Sequence, residues 1–204
     1  MMFRVVLAAA TAVTLAGCED NSRRYALEAT SSVAPVKQMR ARVSSVLVRS
    51  VSLPTYAAAE EMAFQDETGV IKLNKTELWA DEPERATTLV ISRHLNRMLA
   101  ATIAPEPWPL EEAPQAAVDI RVEQLLATNR NTLRLSGQYF TGGQEIEPSL
   151  DEEIPKVPRR TIRSQAELFD IEVAILSETP GVLATAQSDA LRILAERIAK
   201  DLSR

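Results

Sequence analysis

Side chains that commonly carry chemistry are scarce in this chain of 204 residues, which contains one cysteine, Cys18, and one histidine, His94. A single cysteine cannot form an internal disulfide, and a structural zinc site needs several cysteine or histidine ligands. A hydrolase triad needs a base beside a nucleophile. His94 lies in the middle of a predicted helix, and a solvated or partly packed side chain is a simpler interpretation than a catalytic base.

Acidic side chains occur next to one another, but their spacing matches no catalytic or metal-binding pattern. These groups are Glu60–Glu61, Glu111–Glu112 and residues 151–153. Adjacent acids usually form a solvated surface, and calcium loops need acids at fixed alternating positions around a glycine. The glycines are scattered and form no phosphate-binding loop. We therefore predict no catalytic residue, no metal site and no cofactor, and we expect that the protein is not an enzyme.

The remaining candidate is the thiol of Cys18, which follows an apolar run at the start of the chain. Residues 5–14 are apolar and follow the basic Arg4. This run is too short to span a bilayer as a helix, which needs about 20 residues, but it is typical of the apolar region of a secretory signal peptide. Residues 15–18, with the sequence Leu-Ala-Gly-Cys, resemble the bacterial lipobox.

That resemblance implies lipidation of Cys18. In proteins with this motif a diacylglyceryl group is added to the thiol, the chain is cleaved before the cysteine, here between Gly17 and Cys18, and the new amino terminus is acylated. The alternatives are an ordinary signal peptide with a chance cysteine, or a small buried cysteine. We predict a lipoprotein signal peptide at 1–17, a lipidated tether at 18–22 and a folded domain at 23–204.

The composition limits the partners of the folded domain. Removal of residues 1–17 removes one basic residue, Arg4, and leaves 22 basic and 28 acidic side chains, a net charge of −6. This charge argues against nucleic-acid binding, which usually uses a clustered basic face. No later apolar run approaches membrane-spanning length. We expect a domain held at a membrane by its lipidated first residue.

Alternating apolar residues and β-branched runs predict several strands. The predicted strands are 23–29, 43–53 ending at Pro54, the arms 62–65 and 70–73 of a hairpin with its turn at 66–69, the arms 118–123 and 133–139 of a second hairpin, and 160–176. Between the last two of these, residues 142–158 are rich in acids and prolines and predict an exposed loop.

Apolar residues at three- and four-residue spacing predict two long helices. The first begins near Asp81, whose side chain we expect to accept from first-turn amides, and ends before the prolines at 105–109. The second carries an apolar stripe from Leu183 to Leu202. These patterns predict an α+β fold: a single compact domain with a largely antiparallel or mixed sheet and two main helices packed on one face.

Several stretches in this order resemble the ABC-type transport auxiliary lipoproteins, the family similar to paraquat-inducible protein C. The similarity covers most of residues 25–202. It departs from the family pattern at the additional acid in Asp81-Glu82, in the long acidic loop 142–158 and in the absence of an aromatic residue from 118–126. Besides the lipobox, the similar stretches are Leu53-Pro54-Thr55-Tyr56, Leu78-Trp79-Ala80-Asp81-Glu82-Pro83, residues 93–99 and Ala186-Gln187-Ser188-Asp189-Ala190-Leu191.

The family resemblance implies a periplasm-facing lipoprotein that works with an MCE-domain protein, and in some systems with ABC transporter components. Such systems move phospholipid or related lipids between the inner and outer membranes. The lipoprotein is thought to dock the assembly onto a membrane, and it can form a homo-oligomer. In some bacteria an aspartate directly after the lipidated cysteine retains the protein at the inner membrane, but here that residue is Glu19, so the rule does not apply directly. Following the family resemblance, we favour the outer membrane over the inner membrane.

An alternative hypothesis is a lipid-anchored structural or envelope-assembly factor with no transport role. An envelope hydrolase would need a nucleophile–base pair, which the sequence does not offer.

Overall fold

The computed structural model describes residues 21–28, 37–144 and 162–204. Within them the chain forms an α+β domain with one mixed sheet, which confirms the predicted fold class. The elements in chain order are β1 (Arg23–Tyr25), β2 (Ser45–Val48), α1 (Thr55–Ala58), β3 (Glu61–Gln65), β4 (Ile71–Trp79), α2 (Pro83–Met98), β5 (Thr102–Pro105), β6 (Ala116–Thr128), β7 (Thr132–Gly143), β8 (Gln165–Ala174) and α3 (Pro180–Ser203).

The long strand β6 is the axis of the sheet. One of its edges pairs antiparallel with β7 along nearly its whole length, and β7 pairs antiparallel with β8. In β7 every second residue from Leu133 to Thr141 is buried, as expected for a strand with one face on the core. The intervening turn contains Asn131, whose φ of 56° is one that asparagine tolerates. The second predicted hairpin is confirmed and is longer than predicted.

The other edge of β6 is shared by two groups of strands. β2 pairs in parallel with its first residues, and β3 pairs in parallel near its end, where Phe64 is opposite Ala127. β4 continues from β3 as an antiparallel hairpin, and β1 pairs in parallel with β4. β5 pairs in parallel with β2 and has no counterpart among the predicted strands. The sheet therefore branches on one side of β6.

The predicted strand 43–53 is regular only over β2. Beyond Val48 the backbone alternates between two partners. The N–H groups of Arg49 and Ser52 donate to carbonyl oxygens of β6 at 2.9 and 3.1 Å. The N–H of Val51 donates to Thr88 Oγ1 at 2.9 Å, and that of Leu53 donates to the Glu84 carboxylate at 3.0 Å. Side chains of α2 thus take the place of a ladder, which the sequence pattern did not reveal.

The two long helices pack against each other and against the sheet, as predicted. α3 contacts α2, β7 and β8, and α2 also contacts β5. Asp201 near the end of α3 accepts a hydrogen bond from the Tyr139 hydroxyl of β7. Burial, together with this bond, raises the pKa of Tyr139. The core between helices and sheet includes Ile91, Leu95, Ile120, Leu135, Leu191, Leu194 and Ile198, each with no exposed surface.

Two local predictions need correction. The first residue before α2 is Glu82, and Asp81 accepts from the N–H of Glu82 at 2.9 Å instead of from first-turn amides. Gly142 and Gly143 fall within the predicted exposed loop 142–158, but they belong to β7 because their backbones pair with Ala117 and Ala116. Residues 145–158 lie outside the described residues.

The backbones of β6 and β7 come unusually close at a bulge in β6. The register of the β6–β7 pair shifts between Val122 and Gln124, which leaves Glu123 without a Cα partner in β7. Opposite this bulge, Gly137 has a φ of 155°. A Cβ at this position would lie 2.2 Å from the carbonyl oxygen of Arg121. Only glycine fits at this point without movement of a backbone.

We predict that Gly137→Ala lowers the free energy of unfolding by about 2–4 kcal/mol, because a buried backbone must move to admit the methyl group. Urea unfolding followed by circular dichroism measures this change. Gly181→Ala is the matched control, since nothing lies within 4 Å of the added Cβ in the first turn of α3. The control should change stability by less than about 1 kcal/mol. Equal effects of the two substitutions would contradict the close approach.

Candidate functional site at the amino-terminal edge strand

The first strand, β1, lies at one edge of the sheet and joins the domain to the predicted lipidation site. It pairs in parallel with the end of β4, with Arg23, Arg24 and Tyr25 opposite Glu77, Leu78 and Trp79. The carbonyl oxygen of Tyr25 accepts from the N–H of Ala80 at 2.9 Å. This short strand is the segment through which any force on the amino terminus reaches the domain.

An ion pair fixes the start of β1. Arg23 donates to the carboxylate of Glu77, whose side chain is 5% exposed. The same carboxylate raises the pKa of the Tyr25 hydroxyl, because hydrogen bonding to Glu77 and its negative charge favour the protonated phenol. A buried carboxylate is costly unless a cation or hydrogen-bond donors accompany it. Glu77 is therefore a strong reason for β1 to dock at this edge.

A second, more exposed set of contacts holds the next residue. The Arg24 guanidinium donates to the Glu60 carboxylate at 3.2 Å and to the carbonyl oxygen of Trp79 at 3.5 Å. Exposed ion pairs contribute little to stability, typically below about 1 kcal/mol. We therefore assign the main attachment of β1 to Glu77 and the backbone bond at Ala80.

The lipidation candidate Cys18 lies outside the described residues, five positions before Arg23. A chain of five residues spans at most about 18 Å when fully extended. Cys18 is therefore confined to the neighbourhood of the start of β1, whatever the path of the chain between them.

Stretches that resemble the family meet close to this edge. The Tyr56 hydroxyl accepts from the N–H of Leu125 in β6 at 3.3 Å, and the N–H of Trp79 donates to the carbonyl oxygen of Glu60 at 2.7 Å. Trp79 also lines a cavity of about 20 Å³ together with Ala57, Met62, Leu183 and Gln187. Three of the similar stretches thus serve to join β3, β4, β6 and α3.

The other chemistry candidates do not assemble into a site in the part of the chain that is described. His94 is buried, 1% exposed, which corrects the prediction of a solvated or partly packed side chain. Burial, together with the charges of Arg97, Arg192 and Arg93, lowers the pKa of His94 to about 4. Its Nε2 atom has no hydrogen-bond partner among the described residues. A histidine enclosed in this way is placed for packing and has no access to a substrate.

The acidic pairs are also dispersed. Glu60 binds Arg24, Glu61 lies in β3, and Glu111 and Glu112 are exposed. Residues 151–153 lie outside the described residues. Among the residues that the structure describes, no three histidine, cysteine, aspartate or glutamate side chains are grouped as metal ligands.

Sequence analysis missed the role of Glu77. In the sequence it follows Lys75 and Thr76 in a strand that looks solvated, and its burial depends on β1, more than fifty residues earlier. No local pattern in the sequence marks it, because Glu77 and the adjacent Leu78 are both buried and no alternation distinguishes them. No helix in the described part of the chain is long and apolar enough to cross a membrane.

Comparison with known proteins agrees with the fold and with the resemblance noted in the sequence. Residues 25–199 match a family model described as ABC-type transport auxiliary lipoprotein component. Search of curated proteins finds no significant match.

Two crystal structures have similar folds. An uncharacterized protein aligns with a TM-score of 0.64 and 15% identity over 82% of this chain and 97% of its own. Protein XCC0632 from Xanthomonas campestris, assigned to DUF330, aligns with a TM-score of 0.59 and 14% identity over 88% of this chain and 95% of its own. At these identities the similarity supports the fold alone.

We predict that Arg23→Ala loosens β1, because the buried Glu77 carboxylate then loses its cation. Hydrogen–deuterium exchange at the Ala80 amide reports the change, since that amide donates to the carbonyl of Tyr25. Exchange should be faster in Arg23→Ala than in the parent protein. Arg24→Ala is the control and should have a smaller effect, because its partner Glu60 is exposed. Unchanged exchange at Ala80 in Arg23→Ala would show that Glu77 does not hold β1.

Proposed function

The chain belongs to the family of ABC-type transport auxiliary lipoprotein components, and we propose that it is a lipid-anchored accessory subunit of a system that moves phospholipid between the inner and outer membranes. In this proposal Cys18 carries the lipid. The folded domain docks or scaffolds an MCE-domain protein, with ABC transporter components as further partners. The protein then works by binding and positioning, without catalysing a reaction.

The observation that carries the proposal is the position of Cys18 relative to β1. The cysteine follows an apolar run of signal-peptide character and precedes by five residues a strand that is fastened to the sheet through Glu77. Two or three acyl chains hold a protein stably at a bilayer, since each buried methylene contributes about 0.8 kcal/mol. A lipid at Cys18 would therefore hold the domain within a short distance of the membrane.

A role in binding is consistent with the described side chains. The only histidine is enclosed in the core, and the acidic pairs are dispersed over the surface. The family description itself names an auxiliary component of transport. Assembly as a homo-oligomer on the membrane is part of the proposal, because a ring or cluster of anchored domains would offer several docking surfaces at once.

We place the anchor in the periplasmic face of the outer membrane. This placement follows the family resemblance, since the aspartate that retains lipoproteins at the inner membrane in some bacteria is replaced here by Glu19. A subunit on the outer membrane would receive an assembly that extends from the inner membrane. Separation of the two membranes on a density gradient, followed by detection of the protein, distinguishes the two locations.

We predict that Cys18→Ser releases the protein from membranes, because the serine hydroxyl cannot accept the diacylglyceryl group. Membrane fractionation measures the release. Mass spectrometry of the parent protein should show an acylated peptide that begins at Cys18. A second substitution that leaves the thiol intact, Glu19→Gln, is the control and should remain with membranes. Membrane binding by Cys18→Ser equal to that of the parent would contradict the anchor.

We predict that affinity purification of the parent lipoprotein from solubilised membranes recovers an MCE-domain protein. Cys18→Ser should recover less of it, because the released domain is no longer concentrated at the membrane. Deletion of the protein should alter the distribution of phospholipid between the membranes. If no MCE-domain protein is recovered and lipid distribution is unchanged, the alternative of an envelope-assembly factor with no transport role is favoured.

A further inference from the structure

The end of the sheet at which β1 begins is formed by three features that are far apart in sequence. β1 is parallel to β4 and pairs with its last residues, so the chain reaches Arg23 from the side of the β3–β4 turn at 66–69. β3 runs parallel to β6, which places that turn at the same end as the β6–β7 turn at 129–131. Ile175 lies beside that second turn, with its N–H donating to Asn131 at 2.9 Å. We call this the tether end, defined by residues 66–73, 129–131 and 175–177.

Exposed apolar side chains are concentrated at the tether end. Val70, Ile71 and Leu73 on the β3–β4 hairpin are 54%, 40% and 42% exposed, and Leu176 after β8 is 99% exposed. These are four of the six large apolar residues that are exposed among the described residues. Single exposed apolar side chains are common, but their concentration on one end of a domain marks an interaction surface.

Charges at the tether end suit an interface between water and lipid. Lys75 follows Ile71 and Leu73 in β4 and is exposed. A lysine beside apolar residues can extend its stem along them and place its ammonium group at lipid phosphates. Lys72 is paired with Asp66 at 2.8 Å, which neutralises that acid.

Two exposed acids, Glu67 and Glu178, also lie near this end. Their carboxylates favour the water layer over the apolar interior. The apolar contact is therefore expected from residues 70–73 and from Leu176, and not from the β3–β4 turn at 66–69.

The chain between Cys18 and Arg23 is long enough to extend to the tip of the β3–β4 hairpin. Cys18 lies at most about 18 Å from Arg23 along the chain. From Leu78, next to the partner of Arg23, β4 runs back to Ile71 through a register shift, so that it advances only as far as the four steps of β3 from Glu61 to Gln65, which is about 13 Å. A lipid at Cys18 can thus sit at the level of the hairpin tip, while the opposite end of the sheet is farther from it.

From these observations we propose that the tether end rests on the lipid bilayer, with Val70, Ile71, Leu73 and Leu176 in the interfacial layer. This inference rests on the proposed function, because it takes Cys18 as the point of attachment. The short tether keeps the hairpin at a high effective concentration near the surface, so contacts too weak to bind a bilayer alone become sufficient. The lipid both attaches the domain and, with the hairpin, fixes its orientation.

The test attaches the domain to a bilayer chemically, so that it does not depend on lipidation in the cell. A chain of residues 18–204 lacks none of the described residues, and Cys18 is its only thiol. Cys18 is coupled to maleimide-bearing phosphatidylethanolamine in vesicles of phosphatidylethanolamine and phosphatidylglycerol that contain brominated phospholipid. Bromine quenches the fluorescence of tryptophan that lies in the interfacial layer, and the signal of Trp79 and Trp108 in the parent protein is the baseline.

The probes are Val70→Trp and Leu176→Trp at the tether end, with Leu168→Trp as the matched control. Leu168 is 79% exposed in the first half of β8, and its pairing with Gln138 places it away from the β6–β7 turn. Leu176→Trp removes no buried contact, so it keeps the test valid if Val70→Trp disturbs the hairpin. We expect most of the emission added at positions 70 and 176 to be quenched and that at position 168 to remain.

Other outcomes overturn the inference. Equal quenching at all three positions would show that the domain has no fixed orientation, and no quenching would show that it stands away from the bilayer. If the emission of tryptophan at position 70 is blue-shifted in solution, before vesicles are added, and is not quenched on the vesicles, the tether end would be assigned to contact with a second copy of the chain. Failure of Cys18 to be acylated in cells would contradict the proposed function but would leave this measurement unchanged.

Discussion

The pairing of β6 along both of its edges is the constraint on which the rest of the structure depends. On one edge β7 follows β6 nearly from end to end, and this pairing requires Gly137 opposite the bulge at Glu123. On the other edge β2 and β3 share the strand, one near its start and one near its end. Because Phe64 pairs with Ala127, the β3–β4 hairpin reaches the level of the end of β6, and the edge that receives β1 exists only because β3 holds β4 in place.

Much of this fold could be predicted from periodicity because most elements carry their own signal. The alternation in β7 and the apolar stripe of α3 express contacts that repeat along a single element, so a local pattern is sufficient. β5 and the end of β2 were not predictable in this way. Val51 and Leu53 donate to Thr88 and Glu84 on α2, and such long-range partners leave no periodic trace in the sequence.

The residues of the candidate site also differ in whether a local sequence pattern identifies them. The lipidation motif is contiguous along the chain, so neighbouring residues alone are sufficient to identify Cys18 as a candidate. Glu77 could not be identified in this way, because its burial follows from the docking of Arg23 and Tyr25 onto an edge that the sequence does not reveal. His94 was misjudged for a related reason: its enclosure results from the packing of α3 on α2, which brings Arg192 and Glu196 near it.

A tether and an apolar surface solve different physical problems for an anchored protein. A flexible tether alone keeps a domain near the membrane but permits every orientation, so a partner would meet the docking surface only part of the time. Apolar side chains at the end where the tether joins would restrict the orientation of the domain. The further cost would be small, because attachment through a lipid already removes most of the translational entropy. In the proposed arrangement, the ion pair between the exposed Arg23 and the buried Glu77 would transmit the position of the lipid to a rigid sheet instead of a loose strand. In this proposal the end of the sheet that receives β1 would set the orientation of the domain, and with it the face presented to a transport partner.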